Sequence, residues 1–180
     1  MQIIRPGAFV RQPWKNGGGV THEVARAGKS APFWRLSIAE VATEGPFSAF
    51  PGMMRILTVI EGAGMALDTP LGWLTALPLQ PVQFSGDLPV HGRLLAGPVR
   101  DLNLIFDPAG WQARVDALSA TRWLVPPEGG AALFLCLGGE VQLGTHAVPT
   151  GSVAVIEAGE TVLLPKTGAV GLVAELRPIA

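Results

Sequence analysis

Hydrophobic and polar residues alternate along most of this chain in short stretches that end at glycine or proline. Such a period of two places successive side chains on opposite faces of a strand. Phe33 to Val41 reads FWRLSIAEV, with Trp34, Leu36 and Ile38 on one face and Arg35, Ser37 and Ala39 on the other. In Met53 to Glu61, Met54, Ile56 and Thr58 oppose Arg55, Leu57 and Val59. In Asp101 to Phe106, Leu102, Leu104 and Phe106 oppose Asp101 and Asn103. Thr21 to Arg26 sets Thr21, Glu23 and Ala25 against His22, Val24 and Arg26. Helical periodicity is scarce. Asp107 to Ala120 fits both patterns: Asp107 can cap a helix with Pro108 at its first position, and Trp111, Val115 and Leu118 recur at helical spacing. Yet Trp111, Ala113, Val115 and Ala117 also alternate with Gln112, Arg114 and Asp116, and the β surroundings favour a strand. The expected class is all-β.

Further strands are expected near the N-terminus (Gln2 to Val10), at Met65 to Asp68, Val90 to Leu95, Ala131 to Leu137, Val141 to Leu143, Val153 to Glu157, Thr161 to Pro165 and Val170 to Arg177. Pro70 to Leu74 reads as a hairpin. Leu77 to Phe84 carries prolines and suits an edge or irregular strand. Gly45 to Gly52 reads GPFSAFPG, an irregular loop whose two phenylalanines would pin it down. Strand, glycine turn, strand and return recur in both halves, as two related β-barrels or sandwiches in one chain would require. We place the first over residues 1–107 and the second over 108–180, together one compact unit.

Composition narrows the function classes. The 180 residues are 48% hydrophobic and 15% charged, enough for a large core and too apolar for a disordered chain. A net charge of −1 without a basic run gives nucleic acid or an anionic membrane no electrostatic hold. No run of 18 apolar residues is present, and the N-terminus lacks the apolar core of a signal peptide, so a cytoplasmic protein is expected. Cys136 is the single cysteine, set among Leu133, Phe134, Leu135 and Leu137, and reads as a core residue. The three histidines, His22, His91 and His146, show no HxH, HExxH or CxxC context. Neither half carries the cupin metal pattern: Pro149-Thr150-Gly151 matches the PxG turn, but Ala154 stands where the later histidine would be. No metal and no cofactor are expected. GxSxG is absent too, so no serine triad is indicated.

Candidate chemistry gathers in the first half. Pro13 to Gly19 reads PWKNGGG. Asn-Gly is a hairpin signal, and the glycines also let backbone approach a ligand closely. The lysine precedes the glycines, so this is not a phosphate loop. Trp14, Lys15 and Asn16 could form the lip of a pocket. Thr21 with Glu23, Arg35 with Ser37, Arg55, and Asp101 with Asn103 form polar rows opposite apolar ones. Such rows are either a solvated outer face or the lining of a barrel cavity. Their composition, rich in arginine and poor in lysine, favours a lining, because a guanidinium fork suits a carboxylate. Each buried arginine would have to meet Glu23, Asp101, a backbone carbonyl or a ligand anion. The partner expected is a small acidic or zwitterionic metabolite, and a homodimer is allowed.

Taken in order, PWKNGGG, Thr21-x-Glu23, Trp34-Arg35-x-Ser37-x-Ala39, GPFSAFPG with Arg55, Gly86-Asp87 and Asp101-Leu102-Asn103 resemble the HutD/Ves family. The resemblance spans residues 13–103. It implies a bicupin of two small cupin-type (double-stranded β-helix, jelly-roll) barrels without the usual metal ligands. It implies an accessory or regulatory role in histidine utilisation, with formiminoglutamate as the ligand of HutD members, or a stress-response role as in Ves-type members. On this reading Arg35 and Arg55 hold ligand carboxylates, Glu23, Asp101 and Asn103 hold its nitrogen end, and Trp14 and Lys15 close the mouth. The competing readings are a metal-free hydrolase, isomerase or epimerase using Glu23 or Asp101, and an interaction module with a vestigial cavity.

Overall fold

The computed structural model describes residues 1–15, 17–28, 33–139 and 141–179. The first strands are β1 (Gln2–Ile4), β2 (Val10–Pro13), β3 (Gly19–Ala27), β4 (Trp34–Val41), β5 (Gly45–Pro46), β6 (Met54–Glu61), β7 (Met65–Thr69), β8 (Gly72–Ala76), β9 (Val82–Ser85), β10 (His91–Leu94) and β11 (Val99–Phe106). They are followed by β12 (Trp111–Ala117), β13 (Arg122–Leu124), β14 (Ala131–Gly138), β15 (Val141–Leu143), β16 (His146–Val148), β17 (Val153–Glu157), β18 (Val162–Leu164) and β19 (Val170–Pro178). The alternation therefore reports an all-β chain, including the ambiguous stretch after Asp107, where β12 pairs antiparallel with β19. Among the described residues no helix is long and apolar enough to cross a membrane.

The strands fall into two compact units. One comprises Val10–Ala109. Its six-stranded sheet runs β2-β3-β4-β11-β6-β9 and its four-stranded sheet β5-β10-β7-β8. Leu57, Val59 and Phe84 of the first sheet share a core with Met65, Leu67 and Ala76 of the second. On the opposite face of the larger sheet, Leu36, Ile38, Ile56, Leu102 and Leu104 are buried as well. Both faces of its central strands are therefore largely covered.

The other unit comprises Met1–Phe9 and Gly110–Ala180. This corrects the boundary expected from the sequence, which assigned residues 1–107 to the first barrel. β1 pairs with β17, Ile3 opposite Ala154, and Met1 and Ile3 pack on this unit's core. The N-terminal ammonium also pairs with Glu160. Long-range pairing outweighs chain proximity here: β1 is too short to be stable except as an added strand. The five-stranded sheet runs β1-β17-β14-β19-β12, and the β13-β18 and β15-β16 pairs complete the unit. Phe134, Ile156 and Val173 of the sheet share a core with Leu124, Leu143 and Leu164 of those pairs. Cys136 lies fully inside this core, and burial raises its thiol pKa, so it behaves as the apolar residue expected.

Candidate functional site

The strands β4, β11 and β6 place the polar residues in consecutive cross-strand rows. Arg35, Ile105 and Arg55 form one row. Ser37, Asn103 and Leu57 form the next, and Ala39, Asp101 and Val59 the third. Directly opposed residues share a face, so one side of this sheet changes character along its length. At one end Val41 and Val99 join the core, and along the β6 side Leu57 and Val59 do so too. From the Arg35–Arg55 row toward Asp101, the residues Arg35, Ser37, Arg55, Asp101 and Asn103 line a cavity of about 540 Å³. The polar rows are thus a lining, not a solvated face.

The GPFSAFPG loop forms one wall. Pro46, Phe47, Ser48 and Phe50 all line the cavity. Its backbone is pinned on both sides: the Phe47 amide donates to the Val90 carbonyl at 2.8 Å, and the Phe50 amide to the Gly86 carbonyl at 2.9 Å. Gly86 and Asp87 explain themselves here. The Gly86 amide donates to the Met53 carbonyl at 2.7 Å, and Asp87 Oδ1 accepts from the Gly52 amide at 3.0 Å. A Cβ on Gly86 would lie 2.4 Å from the Phe50 carbonyl oxygen, which only glycine permits.

The loop's rings hold the arginines. The Arg55 guanidinium lies 5.2 Å from the Phe47 ring centre, 5.3 Å from Phe50 and 5.1 Å from Phe84. Arg35 lies 5.2 Å from Phe50. Stacking on aromatic faces stabilises a guanidinium without using its N–H donors. Arg55 is 5% exposed, and among the described residues its hydrogen bond is from Nη1 to the Ser48 carbonyl at 3.3 Å. Burial lowers its pKa to about 10 despite the help of Asp101, with Arg35 adding to the fall. Burial likewise lowers Arg35, against which Glu23 pulls upward and Arg26 downward. At about 10, Arg55 remains a cation at neutral pH.

Asp101 is 1% exposed, and desolvation raises its carboxyl to about 7, although Arg55 acts to lower it. Four buried side-chain atoms lining the cavity have no hydrogen-bond partner among the described residues: Arg35 Nε, Arg55 Nε, Asp101 Oδ1 and Asn103 Oδ1. Two are donors and two acceptors. Ser37 Oγ donates to the Asn103 carbonyl at 3.4 Å.

The glycine-rich turn forms the rim. It closes the β2-β3 hairpin, with the Trp14 amide donating to the Gly19 carbonyl at 3.0 Å. The turn and the lip inferred from the sequence are therefore one feature. Trp14 and Lys15 line the cavity, and Trp14 Nε1 donates to Thr21 Oγ1 at 2.8 Å, which orients the indole. A Cβ on Gly19 would meet the Glu40 carbonyl at 2.4 Å and the Trp14 ring at 3.0 Å, so the hairpin can lie this close only with glycine there. Asn16 lies outside the described residues.

Of the other residues predicted, Thr21, Arg35, Ser37, Arg55, Asp101 and Asn103 are brought together and Glu23 is not. Glu23 Oε1 lies 3.9 Å from Arg26 Nη1 instead. The strand register shifts between Glu23 and Ala25 and brings Arg26 opposite Arg35. Strict alternation puts Arg26 on the other face; the bulge moves it. Sequence reasoning also missed Gln12, Phe47, Phe50 and Ile105 as lining residues. The phenylalanines had a signal, two rings held between prolines and glycines. Ile105 continues the Asp101–Asn103 alternation, and Gln12 lies opposite Thr21 across the hairpin.

Comparison with known proteins gives the chain's family and fold. The HutD family model matches residues 7–174. An uncharacterised 21.2 kDa protein from the hutC 3' region of Pseudomonas putida is 39% identical over 143 residues, covering 74% of this chain and 73% of that one. The solved structure of HutD from Pseudomonas fluorescens SBW25 superposes with a TM-score of 0.88 at 33% identity, covering 99% of each chain. A conserved protein of unknown function from Pseudomonas aeruginosa PAO1 gives 0.84 at 33% identity, covering 98% of each. A cupin 2 conserved barrel domain protein from Leptotrichia buccalis gives 0.59 at 12% identity over 88% of each chain, which shows a cupin-type fold alone.

Proposed function

This chain belongs to the HutD family, and on that footing we propose that it is a metabolite-binding accessory or regulatory protein linked to histidine utilisation. Its ligand is a small acidic molecule of the formiminoglutamate type, taken into the cavity of the Val10–Ala109 unit. One observation carries the reading: two arginines in a single cross-strand row, Arg55 buried and Arg35 half-buried, each with a buried Nε that has no partner among the described residues. Arginines left so would be costly, and carboxylates offer them charge and acceptors together. Arg35 and Arg55 take the two carboxylates, Asp101 and Asn103 the nitrogen end, and Trp14 and Lys15 the mouth.

A thermal-shift series with formiminoglutamate, histidine, urocanate, glutamate and a sugar acid tests this. A ligand at a hundredfold excess over its Kd stabilises the native state by about 2.7 kcal/mol. For a chain of this length that is a shift of about 5–10 °C. A shift with formiminoglutamate but not with the sugar acid supports the proposal; no shift with any dicarboxylate removes it.

A second reading has its own support. The Asp101 carboxyl, raised to about 7, is matched to acid–base chemistry at neutral pH. It makes the protein a metal-free enzyme on the same class of acid. Mass spectrometry decides: unchanged ligand after long incubation leaves a binding protein.

A further inference from the structure

The four-stranded sheet β5-β10-β7-β8 ends in β8, whose outer edge pairs with no strand among the described residues. A free edge is a template for another strand, and proteins blunt it with charge, proline or short length. The other edges of this chain follow that rule. β1 has three residues and β5 two, and the strands of the β13-β18 and β15-β16 pairs have three each. β2 carries Arg11 and Pro13, β12 carries Arg114 and Asp116, and β9 is a four-residue strand entered through Pro81. β8 has five residues, no proline and no charge, and it lies in a stretch, residues 69–86, without a charged side chain.

The surface around β8 is apolar. Leu71, in the turn before the strand, is 82% exposed and Trp73 58%, and Leu77 and Leu95 are exposed too. Leu67 and Ala76 belong to the core and Leu74 packs on it, so alternation turns Trp73 and Thr75 outward. They share the outer face with Ala66 and Asp68 of β7 and with His91 and Arg93 of β10. The Arg93 guanidinium lies 5.3 Å from the Trp73 ring centre, and its Nη2 donates to Asp68 Oδ2 at 3.4 Å. The indole is therefore held in place while most of it faces solvent. A rigid tryptophan beside an arginine is the composition of an interface anchor.

The sequence says what covers this edge. Pro70 to Pro78 reads PLGWLTALP, close to a palindrome about Leu74. Antiparallel pairing of the segment with a second copy, about a two-fold axis at Leu74, sets Pro70 against the partner's Pro78 and Leu71 against the partner's Leu77. It sets Gly72 against the partner's Ala76 and Trp73 against the partner's Thr75. The exposed leucines meet, the small residues meet, and a proline ends the ladder on each side. Charge is complementary as well. Asp68 and Arg93 neutralise each other on the outer face, so two copies meet without net repulsion, while a charged partner finds no counter-charge on the strand itself.

We propose that this protein self-associates as a two-fold dimer through β8, joining two four-stranded sheets edge to edge into one of eight strands. The contact is isologous and closed, so it removes the free edge without propagating further at β8. It is independent of what the cavity binds.

The test is sedimentation velocity of the full chain from about 1 to about 300 µM, which brackets the affinity of a small interface. Wild type is expected to move with concentration from the 18.8 kDa of one chain to twice that mass. Leu71→Asp and Trp73→Asp should each weaken association at least about tenfold. Leu71 sits in an exposed turn, so its variant decides even where Trp73→Asp folds poorly. Trp123→Asp, which removes a similarly exposed indole from β13, should leave the dimer intact. With Cys136 buried, Leu71→Cys combined with Leu77→Cys should give a covalent dimer on mild oxidation. Leu71→Cys alone should not, because in this register the two positions 71 lie about 20 Å apart. Wild type that keeps the mass of one chain at the highest concentration overturns the proposal. So does a dimer that persists in both aspartate variants of β8 or dissociates in Trp123→Asp, and so does cross-linking of Leu71→Cys as strong as that of the double variant.

Discussion

Arg35 and Arg55 stand in one cross-strand row on either side of Ile105, and both guanidinium groups contact the same ring, Phe50. Two cations are thereby held on one face of the sheet against a single aromatic ring. They repel, which contributes to the lowered pKa of Arg55. An anion that touches both relieves the repulsion as well as forming hydrogen bonds. Arg35, the more exposed of the two, can be removed without opening the core. Arg35→Ala should weaken binding of the acidic ligand about 10–100-fold, with the melting temperature of the free protein unchanged within a few degrees. Titration calorimetry and thermal denaturation check both halves; unchanged affinity would sink its role as a carboxylate anchor.

The phenylalanine loop depends on Gly86. Its missing Cβ leaves room for the Phe50 carbonyl, a backbone atom that cannot swing away. Gly86→Ala should destabilise the unit by about 1–3 kcal/mol, or about 3–10 °C, and weaken ligand binding with it. Gly45→Ala, where an added Cβ meets nothing within 4 Å, is the matched control and should be near neutral.

Trp14 reports on the cavity. Its indole lines the rim and donates to Thr21 Oγ1 at 2.8 Å. Ligand binding should change the intrinsic fluorescence, and Trp14→Phe should abolish most of that change. Loss of the hydrogen bond should cost about 0.5–1.5 kcal/mol of stability in urea denaturation. A full fluorescence response in Trp14→Phe would place the ligand elsewhere.

Asp101 makes the free protein's stability pH-dependent. Its folded-state pKa of about 7 exceeds the ordinary 3.8, so between those values the folded chain holds a proton that the unfolded chain has lost. The stabilising contribution is complete below the ordinary carboxylate range, declines as pH rises, and is lost once pH passes about 7. The decline is at most about 4 kcal/mol, since each tenfold change in proton affinity on folding is worth about 1.4 kcal/mol. Arg55, at about 10, does not titrate in this window. Denaturation curves from pH 4 to pH 8 should show this fall in wild type and a flatter profile in Asp101→Asn; parallel profiles would mean that Asp101 ionises normally.

Alternation alone determined the all-β class, which residues of β4, β6 and β11 share a face, and the pairing of Arg35 with Ser37 and of Asp101 with Asn103. A strand's two faces are set by its backbone, so a period of two in the residues survives into the structure wherever the register is unbroken. The same logic failed at Arg26, because a bulge after Glu23 adds one residue and reverses every face beyond it, and nothing in the local sequence marks where it falls. It failed for residues 1–9, whose strand pairs with a partner some 150 positions away, Gln2 with Val155. Only the tertiary structure decided that Arg35 and Arg55 share a row, that Phe47, Phe50 and Phe84 enclose the second of them, and that Asp101 is dry enough to hold its proton near neutrality. Those properties depend on which strands are neighbours and on what covers the sheet. Both are set by contacts between distant segments, whereas periodicity records only what each segment does by itself.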